Sequence, residues 1–350
     1  MPHLPNETVC HIVDLVDCLK TFWTLLTVSH RMSAFAIPAL YRDLSFDSRH
    51  PLKVGPVTAT HANALQKLAH SAKSNKNLRF TTSLSIFRFI SPQAKSESVR
   101  MILPFLPNLR RLSIIMPVVD LQTLSPVPRS ARLTHLVMRG VTYSQDFVRF
   151  LEDHPTLTKL EIDGYHGSEL HTLQLSPAAL PMLKSLSCPL DIAPELGRPS
   201  VIDLKIVNVP VDRRGPISKE FAYELAKVFP AVRALHFAEP IPIWSVVSLI
   251  CFFPNVIYLQ FYEPSRGISR IWHTLAPLSV KHIRFTMFAP SEETTLEAFR
   301  SIESLENLAV IDMVKGRALR YYRSSKASPV VDITDHARQS WEETIANDVY

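Results

Sequence analysis

Eight lysine and arginine side chains stand at matching offsets within a recurring six-residue pattern: Arg110, Arg111, Lys159, Lys184, Lys205, Arg233, Lys281 and Arg284. His135, His236, His282 and Tyr258 share those offsets. The chemistry open to such a set is capture of anions. A guanidinium presents a planar fork that holds carboxylate or phosphate through two bonds, whereas an ammonium acts as a point charge. Over ten copies of the pattern these offsets carry eight basic and three acidic side chains, a surplus of five against six for the whole chain. A single-sign field concentrated on one face favours an oppositely charged partner, here an acidic or phosphorylated protein segment. Nucleic acid fits less well, because Tyr258 is the one aromatic at these offsets and single-strand binders interleave several.

Bond-making chemistry finds no comparable set. No Gly-x-Ser-x-Gly, His-Glu-x-x-His, phosphate-binding glycine loop or Cys-x-x-Cys occurs, and eight glycines leave little from which to build a phosphate cradle. His166 and His171 lack a third metal ligand nearby, and Glu292-Glu293 and Glu342-Glu343 read as solvated helix faces. The expectation is a protein that binds and does not catalyse, with no cofactor and no metal.

The pattern that sets the offsets is L/V-x-x-L/I/A-x-I/F. Its copies are TTSLSI from Thr81, LRRLSI from Leu109, LTHLVM from Leu133, LTKLEI from Leu157 and LKSLSC from Leu183. VIDLKI from Val201, VRALHF from Val232, VIYLQF from Val256, VKHIRF from Val280 and LAVIDM from Leu308 complete the series, at spacings of 18 to 31 residues. So regular a recurrence is the signature of stacked repeats. Within a unit the apolar residues alternate as in a strand, so the second, third and fifth positions share the face opposite the core. Between units lie helical periods: Phe147, Val148 and Leu151 after a capping Ser144; Phe221, Leu225, Val228 and Phe229; Leu296, Phe299 and Ile302. The 18-residue step from Leu183 to Val201 leaves no room for a full helix. The expected fold is α/β: a right-handed, irregular leucine-rich-repeat solenoid of about ten strand–helix units, strands lining a concave face. The asparagine that usually follows each strand is missing, as at Pro117, Val141 and Tyr165. Many of the 27 prolines follow an apolar residue, as at Leu106-Pro107 and Phe253-Pro254, and so punctuate an ordered chain.

Both ends of such an array need covering. Residues 60–73 carry Ala64, Leu65 and Leu68 on one helical face, and residues 334–347 carry Ala337, Trp341 and Ile345. The stretch from Arg317 to Lys326 reads as a last strand or a loop. Residues 47–77 are assigned to a linker and capping helix, 78–316 to the solenoid and 317–350 to a C-terminal cap or tail. Four cysteines without paired spacing, no signal-peptide texture and no apolar run beyond Ile243 to Phe253 point to the cytoplasm or nucleus, without a membrane role.

Residues 1–46 differ in texture from the rest of the chain. They contain three helical segments and none of the six-residue units: Val9, Ile12, Val13 and Val16; then Phe22, Leu25, Leu26 and Val28; then Met32, Phe35 and Ala36 up to a break at Pro38. Leu4-Pro5-x-Glu7, Ile12-Val13, Leu25-x-x-Val28-Ser29-x-Arg31 and the closing Pro38 to Leu44 resemble, in that order, the F-box family, in the divergent form numerous in fungi. The resemblance implies a helical module that docks on the Skp adaptor of a cullin–RING ubiquitin ligase while the repeats hold a protein substrate. It implies that Leu4, Pro5, Ile12, Val13, Leu25, Val28 and Met32 supply the adaptor-facing or supporting apolar surface. The alternative is a non-catalytic interaction scaffold whose N-terminal helices only cap the array.

Overall fold

The computed structural model describes residues 6, 8–9, 13, 19–47, 52–54, 57–59, 61–87, 92–119, 123–165, 175–207, 217–239, 243–262, 269–286, 291–312, 317–323 and 330–332. The chain divides into two compact units, residues 1–157 with 164–171, and residues 158–163 with 172–350. No helix among the described residues is long and apolar enough to cross a membrane.

In the first unit, helices α1 (Leu19–Val28) and α2 (His30–Arg42) lead into strand β1 (Asp43–Asp47). A short hairpin, β2 (Leu52–Val54) with β3 (Val57–Ala59), precedes helix α3 (His61–Ser71). Then come β4 (Ser83–Phe87), α4 (Pro92–Ile102), β5 (Arg111–Val119), β6 (His135–Thr142) and α5 (Gln145–Glu152). Strands β1, β4, β5 and β6 pair in that order, all parallel.

The second unit begins with residues 159–163 of β7 (Lys159–Tyr165), then β8 (Ser185–Cys188), the four-residue helix α6 (Ala193–Leu196) and β9 (Asp203–Ile206). It continues with α7 (Lys219–Val228), β10 (Ala234–Phe237), α8 (Ile243–Ile250), β11 (Tyr258–Phe261), α9 (Ser269–Leu275), β12 (His282–Phe285), α10 (Glu292–Ser301) and β13 (Asn307–Asp312). These strands are parallel in chain order, after which β14 (Arg317–Tyr322) and β15 (Val330–Asp332) add antiparallel. The whole is an α/β chain whose parallel strands alternate with helices in a repeat arrangement. The Arg317 stretch is thus a strand, the Leu183–Val201 step holds only α6, and the helix expected from Ala337 to Ile345 lies outside the described residues.

Burial explains the alternation. The first, fourth and sixth positions of the nine units from Thr81 to Phe285 are at most 3% exposed. Each fully buried leucine among them contributes roughly 1.5–3 kcal/mol relative to exposure. In the second unit the sixth-position rings of Phe237, Phe261 and Phe285 stack with centroids 6.0 and 5.4 Å apart.

The prolines do more than end helices. Pro107, Pro155, Pro181, Pro199, Pro230 and Pro254 each stand two residues before a unit's first position, inside a turn. The carbonyl of the residue before proline accepts the N–H of that first position, from Leu109 to Leu106, Leu157 to His154, Leu183 to Leu180, Val201 to Arg198, Val232 to Phe229 and Val256 to Phe253. Proline's fixed φ suits the second position of such a turn. A polar ladder also exists, but before the strands. Asn108 donates to the Arg79 carbonyl (2.7 Å), Thr156 to Leu133 (2.7 Å), Ser200 to Leu183 (2.7 Å), Asn255 to Pro230 (3.1 Å) and Ser304 to Val280 (2.8 Å). Each joins a unit to the one before it.

Two registers differ from expectation. The second-position carbonyl of a unit accepts N–H groups from the second and third positions of the next, as Lys184 does from Ile202 and Asp203. By that rule the Lys281 carbonyl, bonded by Glu306 and Asn307, places the last copy at Leu305 and not at Leu308. Likewise Thr82 bonds the Arg42 carbonyl and Asp43 pairs with Ser83, so Tyr41-Arg42-Asp43-Leu44-Ser45-Phe46 is a copy within residues 1–46, where the apolar pattern predicts none. Nor does Pro38 break its helix. It lies inside α2, whose Ala36 is fully buried, and that packing overrides local propensity.

Candidate recognition surfaces

Near the N-terminus, Ser29 stands between α1 and α2 and caps the latter, its hydroxyl accepting the Met32 N–H at 3.1 Å. Arg31 donates to the Asn6 amide oxygen at 2.7 Å, tying α2 to the first helical residues. Around this corner Leu25 and Met32 are half-buried, while Val28 is 63% exposed. Val13, which the resemblance assigns to the adaptor surface or its support, is only 2% exposed and belongs with Val9 in the interior. Leu4, Pro5 and Ile12 lie outside the described residues.

On the first unit's strands Arg110 and Arg111 are exposed, and His135 is half-buried with Nδ1 2.9 Å from the Thr134 hydroxyl. Thr134 also reaches the Arg110 carbonyl at 3.1 Å, which holds the starts of these adjacent repeats together.

The second unit's strand face is less open. Lys159, Lys184 and Arg233 are exposed; Lys205 and Arg284 are half-buried. Lys281 pairs with Glu306 at 2.9 Å, a contact between second positions of neighbouring units that a register starting at Leu308 conceals. Two further residues depart from expectation. Their offsets predict Tyr258 and His282 as exposed ligand-binding groups, yet they are 0% and 1% exposed. Small neighbours explain the tyrosine, whose ring clusters with Ala234 and Ala309. His282 meets the Asn307 amide nitrogen through Nδ1 at 3.0 Å.

A polar network leads to Tyr258. The Ser185 hydroxyl donates to Asp203 Oδ2 (2.8 Å), and Asp203 Oδ1 lies 2.9 Å from His236 Nε2. His236 Nδ1 is 3.2 Å from Gln260 Oε1, which also accepts the Tyr258 hydroxyl at 3.1 Å. Serine, aspartate and histidine are the ingredients of a hydrolase, but their order here differs. The carboxylate stands between hydroxyl and imidazole, whereas in a serine-hydrolase triad the imidazole stands between hydroxyl and carboxylate. The network ties four strands together and orients His236, half-buried beside the Tyr258 ring at 4.9 Å between centroids. The signal for it in the sequence is the recurrence of polar residues at third and fifth positions.

No cluster of three or more histidine, cysteine or acidic side chains suited to a metal occurs among the described residues, and His166 and His171 fall outside them. Cys188 is buried, and that burial, reinforced by Asp191, pushes its thiol well above the ordinary range and keeps it protonated. Cys251, by contrast, is exposed. No protein-family model matches the chain, and no curated protein shows a significant match to it.

Proposed function

We propose that this chain is the substrate-recognition subunit of a cullin–RING ubiquitin ligase of the SCF type, its F-box-like helices holding the Skp adaptor and its leucine-rich repeats, a right-handed solenoid, holding a protein substrate. The observation that carries the reading is the apolar corner at Leu25, Val28 and Met32. Val28 is one of the few large apolar side chains exposed among the described residues, and it lies where the resemblance puts the adaptor. Such a subunit makes and breaks no bonds. It brings a substrate near a transfer machinery supplied by others.

Co-expression with a Skp-type adaptor tests this. The wild-type chain should co-purify with the adaptor, and Val28→Glu combined with Met32→Glu should abolish that while circular dichroism stays unchanged. A wild-type chain that fails to bind the adaptor sinks the reading.

A second reading has its own support. Helix α2 ends at Arg42 and β1 starts at Asp43, and Asn75 donates to the Tyr41 hydroxyl at 3.3 Å. The helices are thereby built into the first repeat, as a plain cap on an interaction scaffold would be. On that reading, deleting residues 1–46 destabilises the repeats, and there is no adaptor interaction to lose.

A further inference from the structure

At the strand-start edge of the first unit, three successive repeats each contribute one arginine to a cleft of about 500 Å³. Arg79 comes from the short turn before Thr81, Arg110 from the second position of the next unit and Arg132 from the residue before Leu133. All three are exposed, none forms an ion pair among the described residues, and no acidic side chain lines the cleft. We infer that this cleft is a binding site for a phosphorylated serine or threonine in a polypeptide.

The edge is firmly built. Asn108 fastens the Arg79 carbonyl at 2.7 Å, and the Arg79 guanidinium lies over the Phe80 ring, 4.8 Å from its centroid. Stacking on a ring restricts an arginine while leaving the edges of its fork free to donate. Three unneutralised cations in one cleft repel one another, and an arriving anion removes that repulsion. A carboxylate offers two oxygens; a phosphate monoester offers three and about twice the charge, which suits three forks. Ser130 and Thr82 also line the walls.

Nucleic acid is disfavoured by the aromatic content, since Phe80 is the one ring in the wall and Arg79 already covers it. A lipid surface is disfavoured too. No leucine, isoleucine, valine, methionine, tryptophan or tyrosine lines the cleft to enter hydrocarbon. Because Arg79 and Arg132 are not strand positions, the site widens the recognition surface proposed above. It rests on that surface being one, and not on adaptor binding.

The test uses the full chain and a degenerate peptide library with a central phosphoserine or phosphothreonine, read by fluorescence anisotropy beside the unphosphorylated library. Phosphorylated peptides should bind at least about tenfold more tightly, as one or more charge-assisted bonds imply. Arg79→Ala and Arg132→Ala should each weaken binding by roughly the same factor. Replacing both with lysine should keep residual affinity but lower the preference for phosphate over glutamate. Lys219→Ala, at an exposed helix position in the other unit, should change nothing. An equal affinity for both libraries overturns the inference, as does a preference indifferent to Arg79 and Arg132. So does binding of polynucleotide or phosphoinositide vesicles that displaces the peptide and depends on the same arginines. Adaptor co-purification, measured on the same variants, should be untouched; an adaptor-negative chain that still selects phosphopeptides leaves the cleft standing and removes the ligase reading alone.

Discussion

His154 occupies a place that other repeats give to an apolar residue. Three positions before the first residue of a unit stand Leu106, Leu180, Phe229 and Phe253, all buried, and His154 is 2% exposed there with its ring edge-on to Phe150 at 4.6 Å. Burial lowers its pKa below the ordinary 6.5, an effect that Asp153 partly opposes. The unfolded chain therefore takes up the proton first. The stability from a neutral, buried His154 is present above about pH 6.5 and is lost as the pH falls below that value. His154→Leu should flatten this dependence: its melting temperature, followed by circular dichroism, should drop less than that of the wild type on acidification. Parallel curves would show that His154 does not titrate in the way its surroundings require. Arg198 fills the same offset by another route, donating to the Ala179 carbonyl at 2.7 Å and to Ser176 at 3.1 Å.

At the scale of elements, the strand-start ladder lends itself to a stability test. Asn255 is exposed, so its bond to the Pro230 carbonyl can be removed without opening a cavity. Asn255→Ala should cost about 1 kcal/mol in chemical denaturation, and adding Asn108→Ala in the other unit should cost a similar amount again. No loss from either would make the ladder incidental. Strands and helices are legible from the alternation of Leu160 and Ile162 or the spacing of Phe221 and Leu225, because burial imposes those periods directly. The last register is not. Leu305-x-x-Leu308 and Leu308-x-x-Ile311 both satisfy the apolar pattern, and only the backbone bonds to Lys281 decide between them. The copy at Tyr41 is hidden because a tyrosine replaces the leading leucine and 40 residues separate it from Thr81. Which offset residues remain available is beyond periodicity as well. Tyr258 and Lys281 share the offsets of the exposed Arg111 and Lys184, yet one is packed on Ala234 and the other is paired with Glu306.

On the scale of the whole molecule, each repeat leans on its sequence neighbours, so damage should spread by adjacency. Leu259 is fully buried at the fourth position of its unit, between Leu235 and Ile283 in register. Leu259→Ala should cost about 2–5 kcal/mol. Hydrogen exchange should accelerate first in β10, β11 and β12, while β4 and β5, in the other unit, keep their protection. Uniform acceleration would mean that the chain unfolds as one block. The net charge of +6 is likewise unevenly placed. Pairing neutralises part of it in the second unit, at Lys281 with Glu306, and leaves Arg79, Arg110 and Arg132 unneutralised by any described residue in the first.

The proline turn that opens the units at Leu109, Leu157, Leu183, Val201, Val232 and Val256 also sets how this chain can change length. Its proline and its closing bond recur at all six, and at Leu109, Leu183, Val201, Val232 and Val256 the preceding carbonyl also accepts twice. Residues 232–255 therefore form a cassette, and excising those 24 residues would set Val256 directly after Pro230-Ala231, facing the same Phe229 carbonyl that Val232 faced. Length is quantised at this edge: whole units can be lost or duplicated in frame, whereas a deletion of part of one leaves a strand with its apolar side turned toward water.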